Sequence, residues 1–212
     1  MLLPALNKAR QAAYATTCKN QLKQQGTGLT LYGGDHRDYF PFTEGRNYME
    51  GIRAYINAPA EVHTGQKTIF SCPADLYPHN GPTCSYAANA GYSWSWGDKF
   101  YYGMEWRSAA DSGSRRYGEI QKPSETYAVM EIWIFQNRLY NSGGAAAFVT
   151  SMSLAHQFDA PGQPIRNNAY HGNRRQNMLF ADMHVADLPN LGTDQKPNRS
   201  ASDPYWFYIR KP

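Results

Sequence analysis

Residues 2–32 limit the fold more than any other stretch, because they suit only one kind of element. Ala, Leu, Lys, Gln and Arg dominate the segment, and these side chains lose little freedom in a helix. Ala15, Cys18, Leu22, Leu29 and Tyr32 recur on a helical period and form one apolar stripe. Lys8, Arg10, Gln11, Lys19, Lys23 and Gln24 are left for the wet face. Pro4 is tolerable only near a helix start or at a kink. Gly33-Gly34 is expected to end the helix through a left-handed cap. At about 1.5 Å per residue such a helix runs roughly 45 Å. That is more than a small domain can cover, so one end is expected to project. No Ser, Thr, Asp or Asn caps its first apolar residues. The helix therefore reads as entered partway along, with a segment expected upstream.

Composition narrows the rest. Mean hydropathy is −0.66 although 42% of the 212 residues are apolar, because 16 Tyr and 5 Trp are counted among them. With 18 Gly and 13 Pro, this favours a loop-rich domain containing strands over a helical bundle. The net charge of +4 comes from scattered Lys and Arg, so no basic patch points to nucleic acid. No stretch approaches the roughly 20 apolar residues of a membrane span.

Downstream, a short helix is expected around 48–56. Thr68-Ile-Phe-Ser-Cys is a strand candidate stopped by Pro73. Tyr92, Trp94 and Trp96 alternate with small residues, the period of a strand. Residues 126–135 read as a buried strand and 176–185 as another, the latter with Met178, Phe180 and Asp182 on one face. Tyr205-Trp-Phe-Tyr-Ile reads as a last strand or docked tail. One long helix followed by several strands predicts an α+β fold with an antiparallel sheet, the helix burying its stripe on the sheet.

Four segments, in order, carry a resemblance. They are Leu2-Leu-Pro-Ala-Leu-Asn-Lys-Ala-Arg with Cys18-Lys-Asn-Gln-Leu-Lys-Gln-Gln-Gly; Phe70-Ser-Cys-Pro-Ala-Asp with Ser85-Tyr-Ala-Ala-Asn; Ile120-Gln-Lys-Pro-Ser-Glu-Thr; and His171-Gly followed by Asn177-Met-Leu-Phe-Ala-Asp182-Met-His-Val. Together they resemble the pseudopilin-like family, which has a prepilin-type N-terminal helix and a C-terminal signature of His, nine residues and Asp-Gly. Two departures stand out: ten residues separate His171 from Asp182, and Met183 replaces the Gly. Since Met reaches positive φ less cheaply than Gly, the geometry of that turn is open.

The resemblance implies a pilin-like α+β fold with loop-rich insertions. Residues 1–34 would be the C-terminal half of the prepilin helix and 35–212 the globular head, in one domain. It also implies a non-enzymatic subunit of a type II secretion or type IV pilus-like machine in the cell envelope. An upstream apolar helix would anchor it in the inner membrane, with a periplasmic or cell-surface head. Its partners would be other pseudopilin subunits and the secretion or pilus machinery, and Leu2, Leu3, Leu6, Leu22 and Leu29 would belong to the assembly helix. Cys18 and Cys72 match family cysteines, and a bridge between them would tie helix to sheet. Cys72–Cys84 is the rival pairing.

Other chemistry is weighed against this. Tyr92, Trp94, Trp96, Tyr101 and Trp106 could form a stacking platform for a polysaccharide, or simply a sheet core. His171, Asp182 and His184 could ligate zinc or iron. The plainer reading is that His171 and Asp182 hydrogen-bond across a strand end. No cofactor is expected. Calcium is a separate possibility, on Asp182, Asp187 and Asp194. Cys18 beside a histidine could act as a nucleophile, but a cysteine in a helix stripe is more often buried or bridged.

Overall fold

A computed structural model describes residues 2–41, 48–59, 66–75, 85–89, 116–120, 122–131, 148–149, 171 and 175–189. The long helix forms as one piece, α1 (Leu2–Asp35). It continues through Gly33 and Gly34, against the expectation that they end it. The reversal comes at Arg37 and Asp38, whose φ angles are 54° and 70°. The His36 and Asp38 amides donate to Tyr32 and Gly33 carbonyls and close the helix end. Gly33 has another use: a Cβ there would lie 2.6 Å from the Tyr117 ring.

The seated face of α1 is more polar than the apolar stripe predicts. Cys18, Leu22, Gln25 and Leu29 are buried, and Ala15 and Tyr32 half-buried. The two glutamines work as clamps. Gln21 Nε2 donates to the Ser71 carbonyl at 3.0 Å, and Gln25 Nε2 to the Ile69 carbonyl at 3.1 Å. Their oxygens accept from the hydroxyls of Tyr86 and Tyr48, each at 2.7 Å. Residues 68–71 therefore form a turn rather than the expected strand. The Ser71 amide donates to the Thr68 carbonyl, and the Ser71 hydroxyl accepts from the Thr68 amide. Side chains that bond their own backbone compete with strand pairing.

The expected second helix is α2 (Tyr48–Ile52). Five strands follow: β1 (Tyr86–Asn89), β2 (Tyr127–Glu131), β3 (Phe148–Val149), β4 (Arg175–Phe180) and β5 (Val185–Pro189). Their order in the sheet is β3-β1-β2-β4-β5. Every pairing is antiparallel except β1 with the two-residue β3, which is parallel. The fold is thus α+β, a long helix with a small, mainly antiparallel sheet. Helix α1 packs on β4 and β5. Two cross-strand rows line the sheet, Ala88–Val129–Leu179 and Tyr86–Glu131, with Asn177 bonded to Glu131. Leu22, Leu29, Val129 and Leu179 are almost wholly buried, and each such side chain contributes roughly 1.5–3 kcal/mol.

The run 176–185 is not one strand. It breaks after Phe180, and Met183 sits at φ 68° in the tight turn into β5. The Phe180 amide donates to the His184 carbonyl at 2.9 Å and the Met183 amide to the Phe180 carbonyl at 2.9 Å. A three-residue hairpin loop needs one left-handed residue at this place. Met183 fills the position that glycine holds in the Asp-Gly signature.

Candidate functional site

Four buried side chains from four separate parts of the chain converge between helix and sheet. Cys18 comes from α1, Cys72 follows the 68–71 turn, Glu131 ends β2, and His171 precedes β4. Their ligand atoms all lie within 4.8 Å of one another. His171 Nε2 is 3.1 Å from Glu131 Oε1 and 3.9 Å from Cys72 Sγ.

Two members are held from behind. The Asn177 amide donates to Glu131 Oε2 at 2.8 Å, and Asn177 Nδ2 donates to Glu131 Oε1 at 2.9 Å. Cys72 is set by the two mid-chain motifs, which meet here. Its amide donates to Ser85 Oγ at 2.9 Å, and the Ser85 hydroxyl donates to Asp75 Oδ2 at 2.7 Å. Asp75 in turn donates its own amide to the Cys72 carbonyl at 3.0 Å. Cys-Pro-x-Asp and Ser-Tyr are thus one latch that fixes the Cys72 backbone. Lys67 Nζ closes it by donating to the Pro73 and Asp75 carbonyls.

The electrostatics follow from burial. A hydrogen bond with Cys72, then burial itself, pushes the Cys18 thiol far above its usual range. Unaided, that thiol is no nucleophile. Burial pushes His171 downward, but hydrogen bonds to Cys18 and Glu131 outweigh it and carry the imidazole up to about 9. With its own protons, the site holds a neutral Cys18 thiol and an imidazolium facing Glu131.

Several expectations are corrected. His171 does not join Asp182 and His184, nor does it bond Asp182. Those two sit on the β4–β5 turn, where Asp182 is exposed and bonds His184. A turn beyond the end of β4 cannot reach the sheet interior where His171 lies. The Cys18–Cys72 bridge is not formed: both thiols are free and buried. Of the calcium set, Asp187 pairs with Lys19 at 3.1 Å and Asp182 with His184. Leu22 and Leu29 belong to the core of the head rather than to an outward face, whereas Leu3 and Leu6 are 76% and 55% exposed. Cys84, Asp194, Tyr205 and the platform residues Tyr92, Trp94, Trp96, Tyr101 and Trp106 lie outside the described residues.

Glu131 and Asn177 were not expected at a site. Glu131 gives one signal in the sequence: it is the lone carboxylate in an otherwise apolar strand, and a buried carboxylate needs partners. Among the described residues no helix is long and apolar enough to cross a membrane. No protein-family model, no curated protein and no solved structure matches this chain.

Proposed function

We propose that this chain is the head and lower helix of a pseudopilin-like subunit in a type II secretion or type IV pilus-like envelope assembly. One observation carries the reading. Helix α1 is seated on the head from Cys18 to Gly33, yet residues 3–10 are exposed without interruption. Those turns display Leu3 and Leu6, which a free helix end has no reason to hold in order, since an isolated helix of this length is marginal in water. Their occupant is the corresponding helix of a second subunit, giving helix-on-helix packing along a filament core. The meeting of the Cys72–Asp75 motif with Ser85 and the turn at Asp182-Met183 also support it, because both are segments that carry the family resemblance. No catalysis is assigned.

The test is photo-crosslinking in the organism that makes the protein. A crosslinking residue replaces Leu6 in one strain and the exposed Thr27, on the head's part of α1, in another. The expected result is a ladder of subunit adducts from position 6 and far fewer from position 27. Monomer alone at position 6, in envelopes that hold the protein, would refute the reading.

A further inference from the structure

The four-residue knot fits a metal ion better than it fits its own protons. Without a cation, two thiols, a carboxylate and an imidazole are packed together in the interior, with Cys18, Cys72 and Glu131 fully buried and His171 at 5% exposure. Burying an ion pair is costly even when the pair is well made. Nothing in the apolar packing of helix on sheet requires four such groups in one place.

The donor set is two sulfurs, one imidazole nitrogen and one carboxylate oxygen. That mixture suits zinc. Ligands at about 2.3 Å for sulfur and about 2.0–2.1 Å for nitrogen and oxygen, spread tetrahedrally, stand about 3.3 Å apart for nitrogen to oxygen and about 3.6 Å for sulfur to nitrogen. The observed separations are 3.1 Å for His171 Nε2 to Glu131 Oε1 and 3.9 Å for Cys72 Sγ to His171 Nε2. The remaining pairs lie within 4.8 Å, so shifts of a few tenths of an ångström to about an ångström complete a tetrahedron. The supporting shell is already placed: Asn177 orients Glu131, and the Ser85–Asp75 latch orients Cys72. Metal ligands are commonly oriented by such partners.

We infer that Cys18, Cys72, Glu131 and His171 form a structural zinc site that pins α1 to the sheet. On binding, Cys18 and Cys72 release their thiol protons and His171 its imidazolium proton to solvent, leaving two thiolates and a neutral imidazole as ligands. With the Glu131 carboxylate and Zn2+, the site carries a net charge of −1. All four positions are taken by protein and buried, so no open position remains for water. The role is holding, not catalysis. The ligands are far apart in sequence, 99 residues between Cys72 and His171 and 40 between Glu131 and His171. A clip across such separations restricts the unfolded chain strongly. This inference stands apart from the assembly reading: a subunit could assemble without zinc, and a zinc-pinned head could have another partner.

The test uses the 212-residue chain purified without a histidine tag under reducing conditions, with zinc supplied. Elemental analysis is expected to find about one zinc per chain, and Co2+ in its place is expected to show sulfur-to-cobalt charge transfer and the intense visible bands of tetrahedral cobalt. C18S, C72S, E131Q and H171A are each expected to lose at least about nine-tenths of the zinc, whereas D182N and H184A keep it. The cobalt spectrum of the wild-type chain decides the matter even where a variant fails to fold. Zinc below about half an equivalent with no cobalt–sulfur band would overturn the inference, whether the thiols are then found reduced or joined as a Cys18–Cys72 disulfide. Zinc that leaves with Asp182 or His184 instead would overturn it equally.

Discussion

Two adjacent glycines in α1 should respond to the same substitution with opposite signs. Helix propensity alone favours alanine over glycine by about 0.8–1 kcal/mol in a helix interior. At Gly34 a new Cβ meets nothing within 4 Å, so G34A is expected to stabilise the fold by about 0.5 kcal/mol, reduced because the site is in the last turn. At Gly33 the same Cβ would sit 2.6 Å from Tyr117 Cε2. The ring cannot swing aside easily. Phe40 packs against it with centroids 3.7 Å apart, and its hydroxyl donates to the Leu29 carbonyl at 2.7 Å. Overpacking costs about 1–3 kcal/mol and the hydrogen bond about 1 kcal/mol. Set against the propensity gain, G33A should destabilise by about 1–3 kcal/mol. Urea unfolding of both variants measures the difference. Repeating G33A in a Tyr117→Leu background should recover most of the loss, because the obstacle has gone. Equal stabilisation by both substitutions would refute the reasoning, since it would mean that Tyr117 does not press on α1.

Other expectations follow from single contacts. Gln25→Leu keeps the volume but removes the hydrogen bonds to the Ile69 carbonyl and from the Tyr48 hydroxyl, and should cost about 2–4 kcal/mol in thermal or urea unfolding. Ser85→Ala opens the latch beneath Cys72 and should cost about 2 kcal/mol, read as a lower unfolding midpoint with an unchanged slope. The pH dependence has a definite sign at Tyr117: burial first, then the Asp38 carboxylate, holds its hydroxyl well above the ordinary 10. Its contribution is full below pH 10 and is lost as the unfolded chain ionises first above it, so stability should fall beyond about pH 10, and Tyr117→Phe should flatten that fall. Urea midpoints from pH 8 to 11 check this. Breaking the half-exposed Lys19–Asp187 pair should cost under about 1 kcal/mol and less in high salt.

How far the sequence showed this depends on whether the information is local. The long helix was legible because Cys18, Leu22 and Leu29 share one helical face, a pattern that needs no knowledge of the partner. The strand 127–131 was legible as an apolar run. Residues 68–72 look equally strand-like, yet Gln21 and Gln25 capture their carbonyls, and no local rule announces a helix 44 to 50 residues away as the hydrogen-bond partner. The break at Met183 was half visible. The Asp-Gly comparison pointed to a turn, but the apolar alternation on both sides of it suggested an unbroken strand. The knot itself was not legible. Its ligands have no common spacing, so His171 drew attention toward Asp182 and His184, its neighbours in sequence, and away from Glu131, its neighbour in space. The pairing across β2 and β4 makes that choice, and register is set by the whole sheet rather than by the residues that carry the chemistry.

The division of α1 into a seated half and a free half is tested most directly by residue-resolved amide hydrogen exchange on the isolated chain. From Cys18 to Gly33 the amides should be protected at least about a thousandfold, opening only with the head as a whole. Residues 3–10 should exchange within about tenfold of free-peptide rates, because the head leaves them exposed. Equal protection along the whole helix would contradict this, since the outer turns would then be held by their own head and no free face would remain for assembly.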